Sequence, residues 1–324
     1  MEEDYPRTLA ELEARFATEA ACRDYLVQLR WPDGFVCPRC QGRSVWTTNR
    51  HLLVCAGCQY QASPTAGTIF QDSRKPLTMW FRAIWWVTTQ KNGASALGLQ
   101  RILGLGSYVT AWTWLHKLRR AMVRPGRERL RGWVEVDEAY VGGLEEGSQG
   151  RKTETKALVA VACEQDGPGI GRIRLRRIDN ASAATLQAFI EEAIEPGGFV
   201  HTDGWNGYSG LENRGYSHKV TVLQGRKQPA SELLPRVHLV ISLLKRWLLG
   251  THQGAVSPEY LDYYLDEFTF RFNRRRSRSR GKLFYRLLQQ AVAVEPTPYK
   301  AMVRHAGGQD PDARPQSIAV TGVN

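Results

Sequence analysis

Val134-Glu135-Val136-Asp137-Glu138-Ala139-Tyr140-Val141-Gly142-Gly143 reads as a β-strand that closes on a glycine turn, with Asp137 set among apolar neighbours. A carboxylate inside such a strand has no structural reason unless it pairs or binds a metal. Glu138, next in an extended chain, points away from Asp137. Working outward, strand 132–141 is followed by an apolar strand at 156–163. A third strand at 171–178 alternates Arg172, Arg174 and Arg176 with Ile173 and Leu175. A helix at 182–194, a short strand at 198–202, a fifth strand around 218–223 and helices at 231–249 and 258–271 complete the region. Three strands, a helix, a strand and further helices predict a layered α/β domain.

The fourth strand runs into His201-Thr202-Asp203-Gly204-Trp205-Asn206-Gly207-Tyr208, where Asp203 stands at the strand end before a glycine turn. Carboxylates converging from neighbouring strands can hold Mg²⁺ through oxygen ligands. His201 is expected on the face of Asp203. Taken singly, either aspartate reads equally well as a turn or cap residue.

Upstream, Cys37-Pro38-Arg39-Cys40 and Cys55-Ala56-Gly57-Cys58 are separated by 14 residues. Two such knuckles can present four thiolates tetrahedrally to Zn²⁺, a closed site that holds fold and leaves no place for a reactive water. Cys22 and Cys163 have no partners in the sequence and read as ordinary buried thiols. One or two amphipathic helices fill 7–30 and stop at Trp31-Pro32-Asp33-Gly34; the stretch 63–68 is a joint. A largely apolar helix begins near Pro76. Next, a helix at 95–103 breaks at Gly104-Leu105-Gly106, and Ser107 is placed to cap a helix running to about Met122. This is the helix-turn-helix order, with Tyr108, Thr110, Thr113, Lys117 and Arg120 as groove-facing candidates. Many such hairpins bind nothing, so the pattern alone leaves DNA binding open.

The 324 residues carry a formal charge of +12 and a pI near 9.6, a balance that favours a polyanionic partner. Hydrophobic residues at 42% are enough for a sizeable core. No run of about 18 apolar residues predicts a membrane span. The acidic start does not resemble a signal peptide, so a cytoplasmic, nucleoid-associated protein is expected. The expected domains are a helical segment at 1–32, a zinc ribbon at 33–62, a helix-turn-helix at 76–123, a catalytic domain at 132–292 and a weakly ordered tail at 293–324.

The chain from about Pro6 to Arg286 resembles the DDE transposases of bacterial insertion sequences, the ISXO-type group. The markers are Trp31-Pro32, both cysteine knuckles, the helix-turn-helix, Val136-Asp137-Glu138-Ala139-Tyr140-Val141-Gly142-Gly143 and Thr202-Asp203-Gly204-Trp205 with Gly207-Tyr208. Further markers are Ser242-Leu243-Leu244-Lys245-Arg246, Gly250-Thr251-His252, Asp266-Glu267-Phe268 and Arg271-Phe272-Asn273-Arg274.

The resemblance implies an RNase H-like catalytic domain of the retroviral-integrase type, with Asp137 and Asp203 as its first two carboxylates. It places a third position, often Glu or Asn, seven residues before a helical lysine. Counting back from Lys245 gives His238, which departs from that pattern. Imidazole is neutral where a carboxylate is charged, so the expected ion is Mg²⁺ or Mn²⁺, with His tilting the site towards Mn²⁺. His238 and Lys245 lie two turns apart and share one helix face.

The implied chemistry is two-metal phosphoryl transfer on double-stranded DNA, with transposon ends and target as substrates and a dimer or higher assembly on DNA. Arg271, Arg274, Arg275, Arg276, Arg278 and Arg280 supply phosphate contacts, joined by a basic stretch at Arg119, Arg120, Arg124, Arg127, Arg129 and Arg131. Alternatives are a domesticated, non-catalytic DNA-binding protein and an RNase H-like nuclease without strand transfer.

Overall fold

The computed structural model describes residues 3–124, 126–142, 156–222, 229–254 and 256–304. Gly143, the end of the fifth predicted strand at Leu223 and the tail beyond 304 lie outside the described residues. The chain divides into two compact units: Met1–Pro125 with Ser277–Asn324, and Gly126–Arg276.

In the first unit, helices α1 (Leu9–Arg15) and α2 (Glu19–Arg30) open under Thr8 and Thr18, whose hydroxyls accept from Glu11 N and Ala21 N. Strands β1 (Val45–Thr47), β2 (Leu53–Cys55) and β3 (Gln61–Ala62) pair antiparallel as a small ribbon. Helices α3 (Leu77–Thr89), α4 (Ala96–Leu103) and α5 (Tyr108–Ala121) follow. Ser95 Oγ caps α4 by accepting from Gly98 N at 3.0 Å. Gly104, at φ +62°, ends that helix, a left-handed conformation that carries little cost only for glycine. Ser107 precedes α5 as expected but makes no capping hydrogen bond through its side chain.

The second unit is built on strands β4 (Trp133–Val141), β5 (Ala157–Asp166), β6 (Gly169–Ile178), β7 (Phe199–Asp203) and β8 (Ser217–Thr221). Among the described residues they form one sheet in the order β6-β5-β4-β7-β8. β5 runs antiparallel to β4 and β6, while β4, β7 and β8 are mutually parallel. This is the RNase H-like arrangement. Helix α6 (Ala183–Ala193) crosses from β6 to β7; Leu186, Phe189 and Ile190 pack on Val134, Val136 and Val200 on one face. On the other face, α7 (Ala230–Leu233) leads into α8 (Pro235–His252), followed by α9 (Leu261–Asn273). Val237, Val240, Ile241, Leu244, Leu265 and Phe268 there cover Val159, Val161, Ile173 and Leu175. Even-numbered residues of β4 therefore face α6 and odd-numbered ones face α8, as a period of two requires.

The sheet unit ends at Arg276, earlier than the 292 expected from sequence. Helix α10 (Arg280–Ala291) packs in the first unit, where Phe284 meets Phe16, Phe81 and Trp85 with ring centroids 5.7–6.0 Å apart. Its Gly281 lies so close to the Pro6 carbonyl that any Cβ would overlap it. Residues 293–304, expected to be weakly ordered, include helix α11 (Tyr299–Arg304) with Met302 fully buried. Neither helix was expected from the sequence, whose last expected helix ends at 271.

Candidate active site

The cysteine knuckles are built alike. Gln41 and Gln59 take left-handed conformations, and their N–H groups donate to Cys37 O and Cys55 O, both at 2.9 Å. The four sulfurs converge with all ligand atoms within 4.8 Å of one another. Cys37–Cys58 and Cys40–Cys55 sulfurs are 3.6 and 3.5 Å apart. Tetrahedral thiolates at about 2.3 Å from Zn²⁺ would be about 3.8 Å apart, so the cradle fits the ion. A Cβ at Gly42 would fall 3.3 Å from Cys40 Sγ. Burial raises the Cys37 thiol, but the Cys40 and Arg39 N–H groups and the neighbouring thiols bring it down to about 7. The Gly42 N–H lowers the Cys40 thiol, yet the Cys58 and Cys55 sulfurs push it up to about 12. Four thiolates cannot share this space without a cation.

In the second unit, β4 and β7 pair in parallel with Trp133 opposite Phe199 and Glu135 opposite His201. The ladder between these strands ends at Glu135 and His201; Asp137 and Asp203 each follow two residues on and so lie on the same sheet face, towards α8. Asp137 Oδ1 accepts from Glu138 N at 2.8 Å, and Asp203 Oδ1 accepts from Trp205 N at 3.0 Å, closing the turn after β7. His238, in the first turn of α8, brings Nε2 to 3.7 Å from Asp137 Oδ2. That Nε2 is buried and makes no hydrogen bond among the described residues. An orphaned imidazole nitrogen aimed at a carboxylate fits a shared cation, because its only other remedy would be a donor or acceptor that is missing. Burial lowers the His238 pKa, which favours the neutral, ligating form; Glu135 and Asp203 oppose this and Lys245 reinforces it. Lys245 itself is exposed.

Among the described residues, only the four cysteines form a group of three or more His, Cys, Asp or Glu side chains with all ligand atoms within 4.8 Å. Asp137, Asp203 and His238 therefore do not all lie within that distance of one another; the close approach among them is that of His238 to Asp137.

Residues 129–273 match the family described as ISXO2-like transposase domain, and residues 17–61 match the transposase zinc-ribbon domain. The chain thus carries an ISXO2-like transposase domain behind a transposase zinc ribbon. It is 27% identical over 280 residues to the uncharacterized protein in transposable element ISH50 of Halobacterium salinarum, covering 79% of this chain and 91% of that protein. Among solved structures, the Mos1 transposase paired-end complex with left transposon end is similar at 14% identity and a TM-score of 0.30, over 73% of this chain and 82% of that one. A pre-cleavage Mos1 transpososome is similar at 12% identity and a TM-score of 0.29, over 74% and 82%.

Two further side chains support the transposase site. Glu135 is 1% exposed and on the face of Asp137; its carboxylate accepts from Arg236 N and Val237 N at 2.8 and 3.0 Å and pairs with the Arg236 guanidinium at 2.8 Å. This fastens the first turn of α8, and hence His238, to β4. On the opposite face, as expected for its position, Glu138 accepts a 2.5 Å hydrogen bond from the buried Tyr208 hydroxyl. Burial, then the charges of Glu138, Asp137 and Asp203, raise the Tyr208 pKa. Sequence reasoning assigned no role to Glu135, although its spacing of two from Asp137 in an apolar strand was a visible signal. Tyr208 was quoted only as a marker.

The basic candidates are placed unequally. Arg271 pairs with Glu267, which is fully buried, and Arg275 reaches the Ile170 and Gly171 carbonyls of β6. Arg276 pairs with Asp166, and Arg274 lies over the Phe270 ring at 4.1 Å. Arg278 and Arg280 are exposed in the first unit. On α5, Tyr108 is open to solvent, whereas Lys117 is half-buried, which lowers its pKa against the pull of Asp72. Arg120 donates to Thr297 Oγ1. Arg119, counted in the basic stretch, is only 2% exposed and therefore not an open phosphate contact. No helix among the described residues is long and apolar enough to cross a membrane.

Proposed function

We propose that this transposase cuts DNA at the ends of its element and joins the freed ends to a target, using Asp137, Asp203 and His238 to hold two divalent ions. The observation that carries the reading is the 3.7 Å approach of the unpartnered His238 Nε2 to Asp137, one strand from Asp203. Asp137, Asp203 and His238 would together hold the ions. Bound there, Mg²⁺ or Mn²⁺ would activate a water or 3′-hydroxyl and neutralise charge on the leaving oxygen.

The chain's own contribution is orientation. Glu135 fixes the helix that carries His238, and the Trp205 N–H fixes one oxygen of Asp203. Neutral imidazole in the third place gives the site one negative charge fewer than a carboxylate triad, which favours Mn²⁺. Exposed Lys245, two turns along the same helix face, would contact phosphate beside the cut. The accessible arginines Arg276, Arg278 and Arg280 and the helix-turn-helix would bind duplex DNA, and pairing of two ends would call for at least a dimer. The four cysteines would hold a structural Zn²⁺.

The test incubates purified protein with duplex carrying the terminal repeats that flank its gene, plus Mg²⁺ or Mn²⁺. Nicked ends and joined products are expected, with Asp137→Ala and Asp203→Ala binding the ends without cutting them. Cleavage by either variant would overturn the site. Binding without cleavage by the wild type in both metals would instead favour the non-catalytic reading, to which the histidine substitution lends weight.

A further inference from the structure

The sheet face that carries Asp137 and Asp203 continues along the strands into a row that the proposed chemistry does not use. Trp133 of β4 and Phe199 of β7 stand opposite one another, and their rings stack with centroids 4.0 Å apart and planes 14° from parallel. In the same row, β8 contributes Ser217, opposite Phe199. β8 is the last strand of the sheet, Ser217 is exposed, and both rings are partly open to solvent. The row therefore reads aromatic, aromatic, small: a stack that ends on an exposed serine. Lys219, exposed on β8, holds its ammonium 5.4 Å from the Trp133 ring centre. Packing alone gives no reason to leave two large rings half-open at the ends of their strands beside an exposed lysine.

We propose that this row is a stacking slot for an unpaired base of the DNA strand beyond the cut. The base would lie in the place left by Ser217, against Phe199, with Lys219 on the adjoining phosphate. Aromatic faces accept any base whose own face has been released from the duplex, and a lysine alongside tracks the backbone. The spacing agrees. Trp133 and Asp137 are four residues apart on one strand, about 13 Å. That is no more than about four base steps at the duplex rise of 3.4 Å, and fewer for an extended strand. The slot thus receives the nucleotides next to the scissile phosphate and explains how a locally opened end is held. It rests on the transposase chemistry proposed above, and names where that substrate's flanking strand runs.

The test compares binding of full-length protein, without added Mg²⁺ or Mn²⁺, to terminal-repeat duplex that is blunt or carries a short thymidine single strand beyond the repeat. The wild type should bind the extended probe roughly tenfold more tightly, the scale of one base–aromatic stack. Phe199→Ala removes the platform, and Ser217→Phe fills the slot from an exposed position that does not threaten folding. Both should lose that gain while binding the blunt duplex as the wild type does. With 5-iodouracil in the extension, ultraviolet crosslinks should map to peptides holding Trp133 or Phe199. Equal wild-type binding to the two probes, a Ser217→Phe variant that keeps the gain, or crosslinks only elsewhere would each overturn the slot. Cleavage of the blunt duplex by the wild type reports separately on the transposase chemistry, so the two readings fail independently.

Discussion

Glu135 holds Arg236 twice over: its carboxylate takes both the backbone N–H and the guanidinium of that residue, each at 2.8 Å. A buried carboxylate at a helix N-terminus meets unpaired N–H groups and the positive end of the helix dipole together. Because His238 follows two residues later, this contact sets the height of the imidazole over Asp137. Glu135→Ala leaves the first turn of α8 and Arg236 without their partner and is expected to cost roughly 3–5 kcal/mol. Urea denaturation measures the loss. Glu135→Gln, which keeps one acceptor oxygen, should retain more stability but cut DNA more slowly than the wild type.

Gly207 is required by space rather than by backbone angle. A Cβ there would lie 2.6 Å from Ala181 O, 2.7 Å from Trp205 Nε1 and 2.8 Å from Leu186 Cδ1. Gly207→Ala should break the Trp205 hydrogen bond to Ala181 O and shift the turn that begins at Asp203. The expected cost is about 1–3 kcal/mol, seen as a lower melting temperature, with end cleavage reduced at temperatures where the protein remains folded.

The zinc ribbon has few apolar contacts of its own; Phe35, Leu53 and Ala62 with Cys37 and Cys55 make up its buried cluster. Metal must supply much of its folding free energy. Elemental analysis should find one zinc per chain. Chelation should make the segment around residues 35–62 sensitive to protease while the sheet unit stays resistant, and Cys55→Ser should behave as the chelated protein does. A chelated ribbon that keeps its protease resistance would count against a structural ion.

His201 and His218 make the sheet unit sensitive to acid. Burial lowers both pKa values, with Lys219 adding to the effect at His201 and Glu212 opposing it at His218. Their rings bond Thr221 Oγ1 at 2.7 Å and Thr202 Oγ1 at 2.9 Å, tying β7 to β8. A histidine whose folded pKa is depressed takes up protons more readily when unfolded, so acid favours unfolding. Stability should be constant above the ordinary value near 6.5 and fall as pH drops from there towards the depressed folded values. Denaturation midpoints at pH 8 and pH 5.5 check this. His218→Gln should flatten part of the slope; an unchanged slope would remove His218 as a cause.

Much of the fold was legible before any coordinates. Short apolar runs and, in the third strand, alternation marked all five strands of the sheet, and Gly104 marked the helix-turn-helix break, because period and turn chemistry are local properties. Partners were less legible. Helix 280–291 carries an apolar stripe that would suit either unit, and only the fit of Gly281 against Pro6 and of Phe284 among aromatic rings assigns it. The arginines were similarly ambiguous: Arg119 and Arg271 read as solvent-facing charges, yet one is buried and the other is taken up by Glu267.

Residue type and spacing by themselves determined the four-thiolate cradle, since two short knuckles leave few other ways to satisfy four clustered cysteines. They also determined the positions of Asp137 and Asp203 on strands. What only the tertiary structure decided is that these aspartates share one face on neighbouring parallel strands and that Glu135 holds the helix turn that brings His238 to Asp137. It also placed Trp133 and Phe199 in one row beside them. The physical reason is that parallel pairing joins strands through a long crossover, so its register is set by the packing of the intervening helix and not by any turn that can be read along the chain.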